Sequence, residues 1–337
     1  MVDIKKDFGD SFNLLMHHKK IIIPILCSIV LPLILIFLFL NLSGLNPLLK
    51  ELVSASEEFD QQKTNYLLNK ENIGGENYTI ELVNYLGKDS ESSTYNAEFD
   101  KYLEEKGYDW NRYEQLLNVK NVLMLIIFLL IGIIGSFYFS CMSYAIIALT
   151  IKNEDIHFDN LLRVTNRFLL KFLSLRILLG FIIIAPIIIF VGIIVSLFFL
   201  NAILGVLSIF IFLILFFVYI IIVGLRLFFA APSMYMEEEG AVKSIEHSFN
   251  LTKGHLKQVL IIFFMIYGIT IFMNSFIGQP LYDTYSSFLF GANLIKTSIN
   301  LIIVLLLIII ESFVLTFEHI FFFYSYIDFK EIREITK

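Results

Sequence analysis

The stretch AILGVLSIFIFLILFFVYIIIVGLRLFFA, residues 202–230, holds 29 residues and a single charge, Arg226. A helix needs about 20 residues to cross the hydrocarbon core of a bilayer, which is roughly 30 Å thick. Only a helix or a closed barrel satisfies its backbone polar groups in lipid, and this run lacks the two-residue alternation of a barrel strand. The stretch therefore predicts a transmembrane α-helix.

Five further apolar runs flank this stretch on both sides. They cover residues 21–41, 119–150, 172–200, 257–278 and 297–325. The chain is 57% hydrophobic and only 17% charged, whereas soluble domains carry about 25% charged residues. We predict an all-α fold: a polytopic transmembrane helix bundle of six spans in the lipid bilayer, with cytoplasmic interfacial helices and a small external helical domain.

Basic residues are distributed unevenly among the connections. Sixteen of the 25 lysines and arginines lie in the N-terminal segment, in the connections after the second and fourth runs, and in the tail at 326–337. The short connections on the other side contain only Lys296. Because cytoplasmic loops are enriched in Lys and Arg, we predict a multi-pass cell membrane protein with both termini in the cytoplasm.

Residues 42–118 form a long polar segment with 15 acidic and seven basic residues. Apolar residues recur there at helical spacing after Pro47 and around Trp110, and Gly74-Gly75 interrupts the pattern. We expect a small acidic helical domain outside the cell that is available to a protein partner. Asn77 begins the sequon Asn-Tyr-Thr and is a candidate glycosylation site on this side.

Three segments combine an apolar and a polar side at helical spacing. They are 1–20, 155–170 and 239–252, all on the predicted cytoplasmic side. Amphipathic helices of low overall hydrophobicity lie in the membrane interface. We predict an amphipathic helix over 1–20 and elbow helices near 155–170 and 239–252; the alternative is that they are connectors packed on the bundle.

The segment RLFFAAPSMYMEEEGAVKSIEHSFNLTKGHLKQVL, residues 226–260, contains a recognisable order of features. Pro232 ends a span, Glu239-Gly240 forms an acid-Gly turn, Ser248 lies in a short helix, and Lys253-Gly254 follows. This order resembles a poorly characterised prokaryotic family of six-span membrane proteins, which is similar to the membrane domain of some glycerophosphodiester phosphodiesterases. The resemblance implies a membrane module without the phosphodiesterase chemistry, which belongs to a separate soluble domain.

The sixth run, NLIIVLLLIIIESFVLTFEHIFFFYSY, residues 300–326, places an acid near the middle of the bilayer. Glu311 lies 14 residues after Thr297, where the sixth apolar run begins, which is about 21 Å at 1.5 Å per residue. Glu318 follows seven residues later on the same face, with His319 beside it. A charge at this depth costs roughly 2.5–3.5 kcal/mol, so such residues often mark an ion path. Glu311, Glu318, His319 and Arg226 form the candidate intramembrane polar site.

Two interpretations of these acids stay open. In the functional one, Glu311 couples the movement of a proton or cation, relayed by Glu318 and His319. In the structural one, Glu311 is protonated and hydrogen-bonded to a serine of the second span (Ser136, Ser140 or Ser143), and Glu318 pairs with Arg226 or Arg176.

Small residues recur every four positions in the second run. Gly132, Ser136 and Ser140 form a stripe that lets helix backbones approach closely. The stripe predicts helix packing within the bundle, with homodimerisation as the alternative.

Catalytic and cofactor motifs are missing from the sequence. It contains no H-E-x-x-H, G-x-S-x-G, Walker or dinucleotide pattern, and its six histidines lack metal-ligand spacing. We therefore predict no cofactor, no metal site and no nucleic-acid partner. The leading function is a non-enzymatic integral membrane protein with a membrane-organising or assembly role. The alternative is a small ion- or proton-coupled transporter that uses Glu311.

Overall fold

The computed structural model describes residues 4–47, 49–51, 54–56, 58–59, 101–107, 118–154, 156–290 and 294–335. In these residues all regular structure is helical. The helices are α1 (Ile4–His17), α2 (Ile22–Leu42), α3 (Val119–Ile151), α4 (Phe158–Leu200), α5 (Ala202–Leu227), α6 (Ala230–Met236), α7 (Ala241–Thr252), α8 (Leu256–Met273), α9 (Gln279–Phe290) and α10 (Leu294–Ile335). A 3-10 turn, Lys19–Ile21, leads into α2, and a π-helical stretch, Asn274–Gly278, joins α8 to α9.

Six helical segments are long and apolar enough to cross a membrane, which confirms the predicted number of spans. Their bounds are Lys19–Leu42, Val119–Ile151, Phe158–Leu200, Ala202–Met236, Leu256–Leu289 and Ile299–Glu334. The long stretches of exposed Ile, Leu and Phe on these helices are what a lipid-facing surface requires.

Two predicted boundaries are wrong because helices continue past them. The segment near 155–170 is not a separate elbow: from Phe158 it forms the first turns of α4, which runs unbroken for 43 residues. Residues 326–335 likewise belong to α10 and not to a separate tail. Neither segment contains a Gly or Pro that would end a helix, and side chains from both pack into the protein core.

The structure divides into two compact units, of which the first contains Met1–Leu31, Ile134–Gln279 and Ile308–Lys337. Its core is aromatic. The Tyr235 ring of α6 stacks on Phe168 of α4 at 4.7 Å and on Tyr144 of α3 at 5.7 Å between centroids. Stacked rings add to the free energy of apolar burial, so α3, α4 and α6 are held together at this point.

The second unit contains Pro32–Ile133 and Pro280–Leu307. In it, the side-chain amide of Asn121 donates to the Ser43 carbonyl at 3.3 Å. Helical residues near Phe59 pack against Tyr102 and Leu103. Most of the predicted 42–118 domain, including Asn77, lies outside the described residues.

Candidate functional site

Glu311 lies on α10 with one carboxylate oxygen that has no hydrogen-bonding partner. Its Oε2 atom is buried, and no described residue donates to it. The structural interpretation placed a bond here from Ser136, Ser140 or Ser143; none of the three donates to this oxygen, and Ser143 donates instead to the Ser140 carbonyl of its own helix at 2.8 Å. Ser312, beside Glu311, donates to the Ile308 carbonyl at 2.7 Å. The hydroxyl next to Glu311 in the sequence is thus satisfied within α10.

Glu318 and His319 continue this set of polar groups along α10. Glu318 Oε1 accepts a hydrogen bond from the Thr270 hydroxyl of α8 at 3.1 Å, whereas its Oε2 is buried without a partner. His319 Nδ1 is also buried and unpaired among the described residues, and its ring centroid lies 4.9 Å from that of Tyr144. The structure therefore brings Glu318 and His319 into contact with α8 and α3.

Arg226 does not join this set. Its guanidinium donates to the Phe249 carbonyl in the last turns of α7 at 3.3 Å, so the predicted pairing of Arg226 with Glu318 is wrong. The Ser248 hydroxyl donates to the Arg226 carbonyl at 2.7 Å and accepts from the Phe229 backbone N–H at 3.1 Å. Arg226 and Ser248 together tie the end of α5 to α7, which is a structural role.

An acidic turn, Glu237 to Glu239, connects four helices near the end of α6. Glu237 accepts hydrogen bonds from the Tyr326 hydroxyl at 2.9 Å and from Lys330 Nζ at 2.8 Å, both on α10. Glu238 pairs with Arg167 of α4 at 2.7 Å and with Lys152 at 3.4 Å, just beyond α3.

The geometry of the turn depends on Glu238, whose φ of 56° lies in the left-handed region. This conformation lets both its carboxylate and its carbonyl meet basic residues, because Lys171 Nζ donates to the Glu238 carbonyl at 2.9 Å. Glu239 completes the turn with a 3.8 Å contact to His247 of α7.

Both ion-paired glutamates of the turn favour the charged form. Burial opposes ionisation of Glu237, but hydrogen bonds from Lys330 and Tyr326 outweigh it and hold the pKa below its ordinary value. Burial also opposes ionisation of Glu238, and the charges of Lys152 and Arg167 lower its pKa in the same way. Glu237 and Glu238 are therefore charged, and Lys330, Lys152 and Arg167 from other parts of the protein neutralise them.

A cleft of about 310 Å³ opens beside the turn between α3 and α4. Its polar walls include Lys152, Arg163, Arg167 and Glu238, and Phe168 and Tyr235 contribute apolar surface. Glu238 pairs with Lys152 and Arg167, and with Arg163 and Glu154 also in the lining the three cations exceed the two acids by one charge.

The small-residue stripe of α3 packs against α2 over part of its length. A Cβ on Gly132 would meet Leu35 at 3.4 Å, and one on Gly135 would overlap Leu31. Of these two glycines, α3 therefore comes closer to α2 at Gly135, which lies outside the predicted stripe. The side chains of Ser136 and Ser140 are half-buried.

The sequence predicted an acid-Gly turn at Glu239-Gly240 but not the partners that Glu237 and Glu238 find on α4, on α10 and just beyond α3. A signal was present: three consecutive glutamates follow a span, and lysines and arginines fill the other connections on the same predicted side. No group of three or more His, Cys, Asp or Glu residues suited to a metal ion occurs in the part of the chain that is described.

Fold and site together define an α-helical membrane protein with six candidate spans among its described residues, in which an acidic turn links α4, α6, α7 and α10 to the end of α3. More specifically, the chain belongs to a family of unknown function (DUF7544), whose model matches residues 15–327. No curated protein and no solved structure matches the chain.

Proposed function

We propose that this protein is a non-enzymatic component of a prokaryotic cell membrane that organises the surrounding bilayer or an assembly within it. The observation that carries the proposal is the orientation of α7. Its small polar side chains, Ser244, Ser248 and Thr252, are buried against the protein. Val242 is 69% exposed, and Phe249 also faces outward. An apolar face turned away from the protein fits a membrane interface.

Helix α1 supports the same interpretation. Asp7, Ser11 and Leu15 form its buried side. Phe8, Phe12 and Met16 recur every four residues, and each is more than 40% exposed. Two helices with outward apolar faces supply surfaces that insert between headgroups, and insertion of this kind changes local lipid packing.

The proposed orientation follows from charge. We place both termini in the cytoplasm, residues 42–118 outside, and a protein partner on the acidic outer segment, because lysines and arginines concentrate on the opposite side. Deleting 60–100 should then abolish co-purification of that partner while the span bundle is retained; persistence of the complex would contradict the assignment.

The membrane-organising role is tested on α1 and α7. Phe12→Ser combined with Val242→Ser removes two outward apolar groups without touching the buried sides. Reconstituted in phosphatidylcholine vesicles, the wild type should deform the bilayer in electron micrographs, and this variant should do so less. The matched control, Asn13→Ser with Glu246→Gln, changes exposed polar residues on the same helices. Equal deformation by both variants would refute the role.

The likeness to the membrane domain of glycerophosphodiester phosphodiesterases stays a proposal, and local geometry is consistent with the signature residues. Pro232 is buried, and Ser248 bridges two backbone groups. Gly254 has φ +88°, a conformation that side chains rarely adopt, and it ends α7. Each of these residues thus has a structural reason for its position.

A proton- or ion-coupled transporter is the second candidate. It is favoured by three buried atoms of titratable side chains on α10 that have no partner among the described residues: Glu311 Oε2, Glu318 Oε2 and His319 Nδ1. If these side chains line a proton path, vesicles that contain the wild-type protein and a pH-sensitive dye should acidify in a proton gradient faster than vesicles with the Glu311→Gln variant. Glu331→Gln, an exposed acid on the same helix, is the control.

Water access gives an independent test of the same candidate. A cysteine at position 311, with Cys27 and Cys141 replaced, should react with a membrane-impermeant thiol reagent if water reaches it. A cysteine at exposed Lys253 serves as the reactive control. A reactive control with an unreactive position 311 would contradict the transporter.

A further inference from the structure

A second cleft, of about 550 Å³, opens where α1 ends and α2 begins. Basic and imidazole side chains dominate it: His17, His18, Lys19, Lys20 and His157, with Glu154 as the one acid among its described lining residues. Met16, Ile21 and Ile156 supply apolar surface. The cleft thus combines hydrogen-bond donors and positive charge with apolar lining residues.

The two lysines of this cleft form no ion pair with a described carboxylate. Elsewhere on the first unit, Lys152, Arg167 and Lys330 each meet a glutamate of the acidic turn within 3.4 Å. Among the described residues, no carboxylate lies within the 4.0 Å ion-pair distance of the Lys19 or Lys20 amine. Two adjacent unpaired cations in a concave site attract an anion.

One imidazole of the cleft is held in a fixed position. His17 Nδ1 lies 2.7 Å from the Asn13 carbonyl, and since a carbonyl only accepts, this nitrogen is the donor. The contact restrains the ring at the end of α1, directly before Lys19 and Lys20. The Nδ1–H of His17 is therefore committed to α1, and the Lys19 and Lys20 ammonium groups are the donors that the cleft offers to an anion.

We propose that this cleft binds a phosphate group, the chemistry shared by an anionic lipid headgroup and a soluble phosphate. Ammonium groups such as those of Lys19 and Lys20 form charge-assisted hydrogen bonds to phosphate oxygens. The lipid source is favoured by position, because Lys19 and Lys20 lie immediately before a membrane-spanning helix. Met16 and Ile23, which are 45% and 53% exposed, offer apolar surface for acyl chains beside the phosphate.

The test uses the full chain in mixed micelles of phosphatidylcholine and phosphatidylglycerol, with bound lipid counted by native mass spectrometry. Lys19→Gln with Lys20→Gln removes the two unpaired charges. Each lysine near an anionic lipid contributes a factor of about five, so phosphatidylglycerol retention should fall about twenty-fivefold. Lys253→Gln with Lys257→Gln, also exposed and of equal charge, should change retention less than about twofold.

A second arm separates the two sources of phosphate. In micelles of phosphatidylcholine alone, inorganic phosphate is titrated by calorimetry. Saturable binding that Lys19→Gln with Lys20→Gln abolishes, without any phosphatidylglycerol effect, assigns the cleft to a soluble anion. Equal behaviour of the two double variants with both probes, at equal thermal midpoints, overturns the proposal.

Discussion

We expect α1 to dock less tightly on the protein core as pH rises, and replacing Asp7 with asparagine should remove this pH dependence. Asp7 is 1% exposed and is hydrogen-bonded to Asp328 of α10. Burial, followed by the charge and hydrogen bond of Asp328, raises the pKa of Asp7 from 3.8 to about 7. Asp10 acts in the same direction, and Lys6 opposes it. The docked helix therefore holds a proton that a free helix would release.

The direction of the pH dependence follows from comparing the protonation of Asp7 in the docked and the free helix. Below pH 3.8 Asp7 is protonated in both the docked and the free helix, so it does not change the free energy of docking. Between pH 3.8 and about 7 only the docked form keeps its proton, so docking weakens by about 1.4 kcal/mol per pH unit and then levels off. The full shift corresponds to about 4 kcal/mol, which we halve to about 2 kcal/mol because solvent and Lys6 screen a site near the membrane surface.

Spin labels report docking directly. Cysteines replace Asn13 on α1 and Glu331 on α10, both exposed, in a background without Cys27 and Cys141. Double electron–electron resonance then measures the distance between them at about pH 4 and about pH 8. An effect of about 2 kcal/mol changes the ratio of docked to undocked helix about thirtyfold.

The Asp7→Asn variant should show the same distance distribution at both pH values, because asparagine does not titrate. Asp159→Asn, an exposed acid in the first turn of α4, should behave like the wild type. Wild-type distributions that do not change with pH, or a pH response that survives in Asp7→Asn, would refute the reasoning.

Two further predictions concern packing and the acidic turn, and thermal unfolding in detergent measures both. Gly135→Leu should cost about 1–3 kcal/mol, because its Cβ overlaps Leu31, whereas Gly180→Leu, with nothing within 4 Å, should be near neutral. Glu238→Gln should cost about 1 kcal/mol through its half-exposed ion pairs, and Glu246→Gln nearly nothing. Since the pKa of Glu238 lies below 4.5, this difference should be present at neutral pH and vanish in acid; a difference that grows in acid would contradict it.

Saturated hydrophobicity made the six spans predictable, whereas boundaries next to charged residues were not. At α10, Lys330 and Arg333 in the sequence indicated an exposed tail, but Lys330 binds Glu237 and Phe329 is buried. Charge alone does not reveal a partner that is distant in sequence. For the same reason the pattern located Glu311 and Glu318 but assigned them the wrong partners. Hydrogen bonds within one helix, such as those of Ser143 and Ser312, compete with bonds between helices and follow no periodicity.

The contrast between the two groups of glutamates separates a structural role from a functional one. Glu237 accepts two hydrogen bonds, so its removal must lower stability. No described donor reaches Glu311, so Glu311→Gln breaks no bond while it removes the proton-carrying group. A Glu311 without a role in transport would leave the proton flux unchanged on this substitution. Unchanged stability with lost proton flux therefore requires that the carboxyl itself carries the proton, and this outcome would favour the transporter over the membrane-organising role.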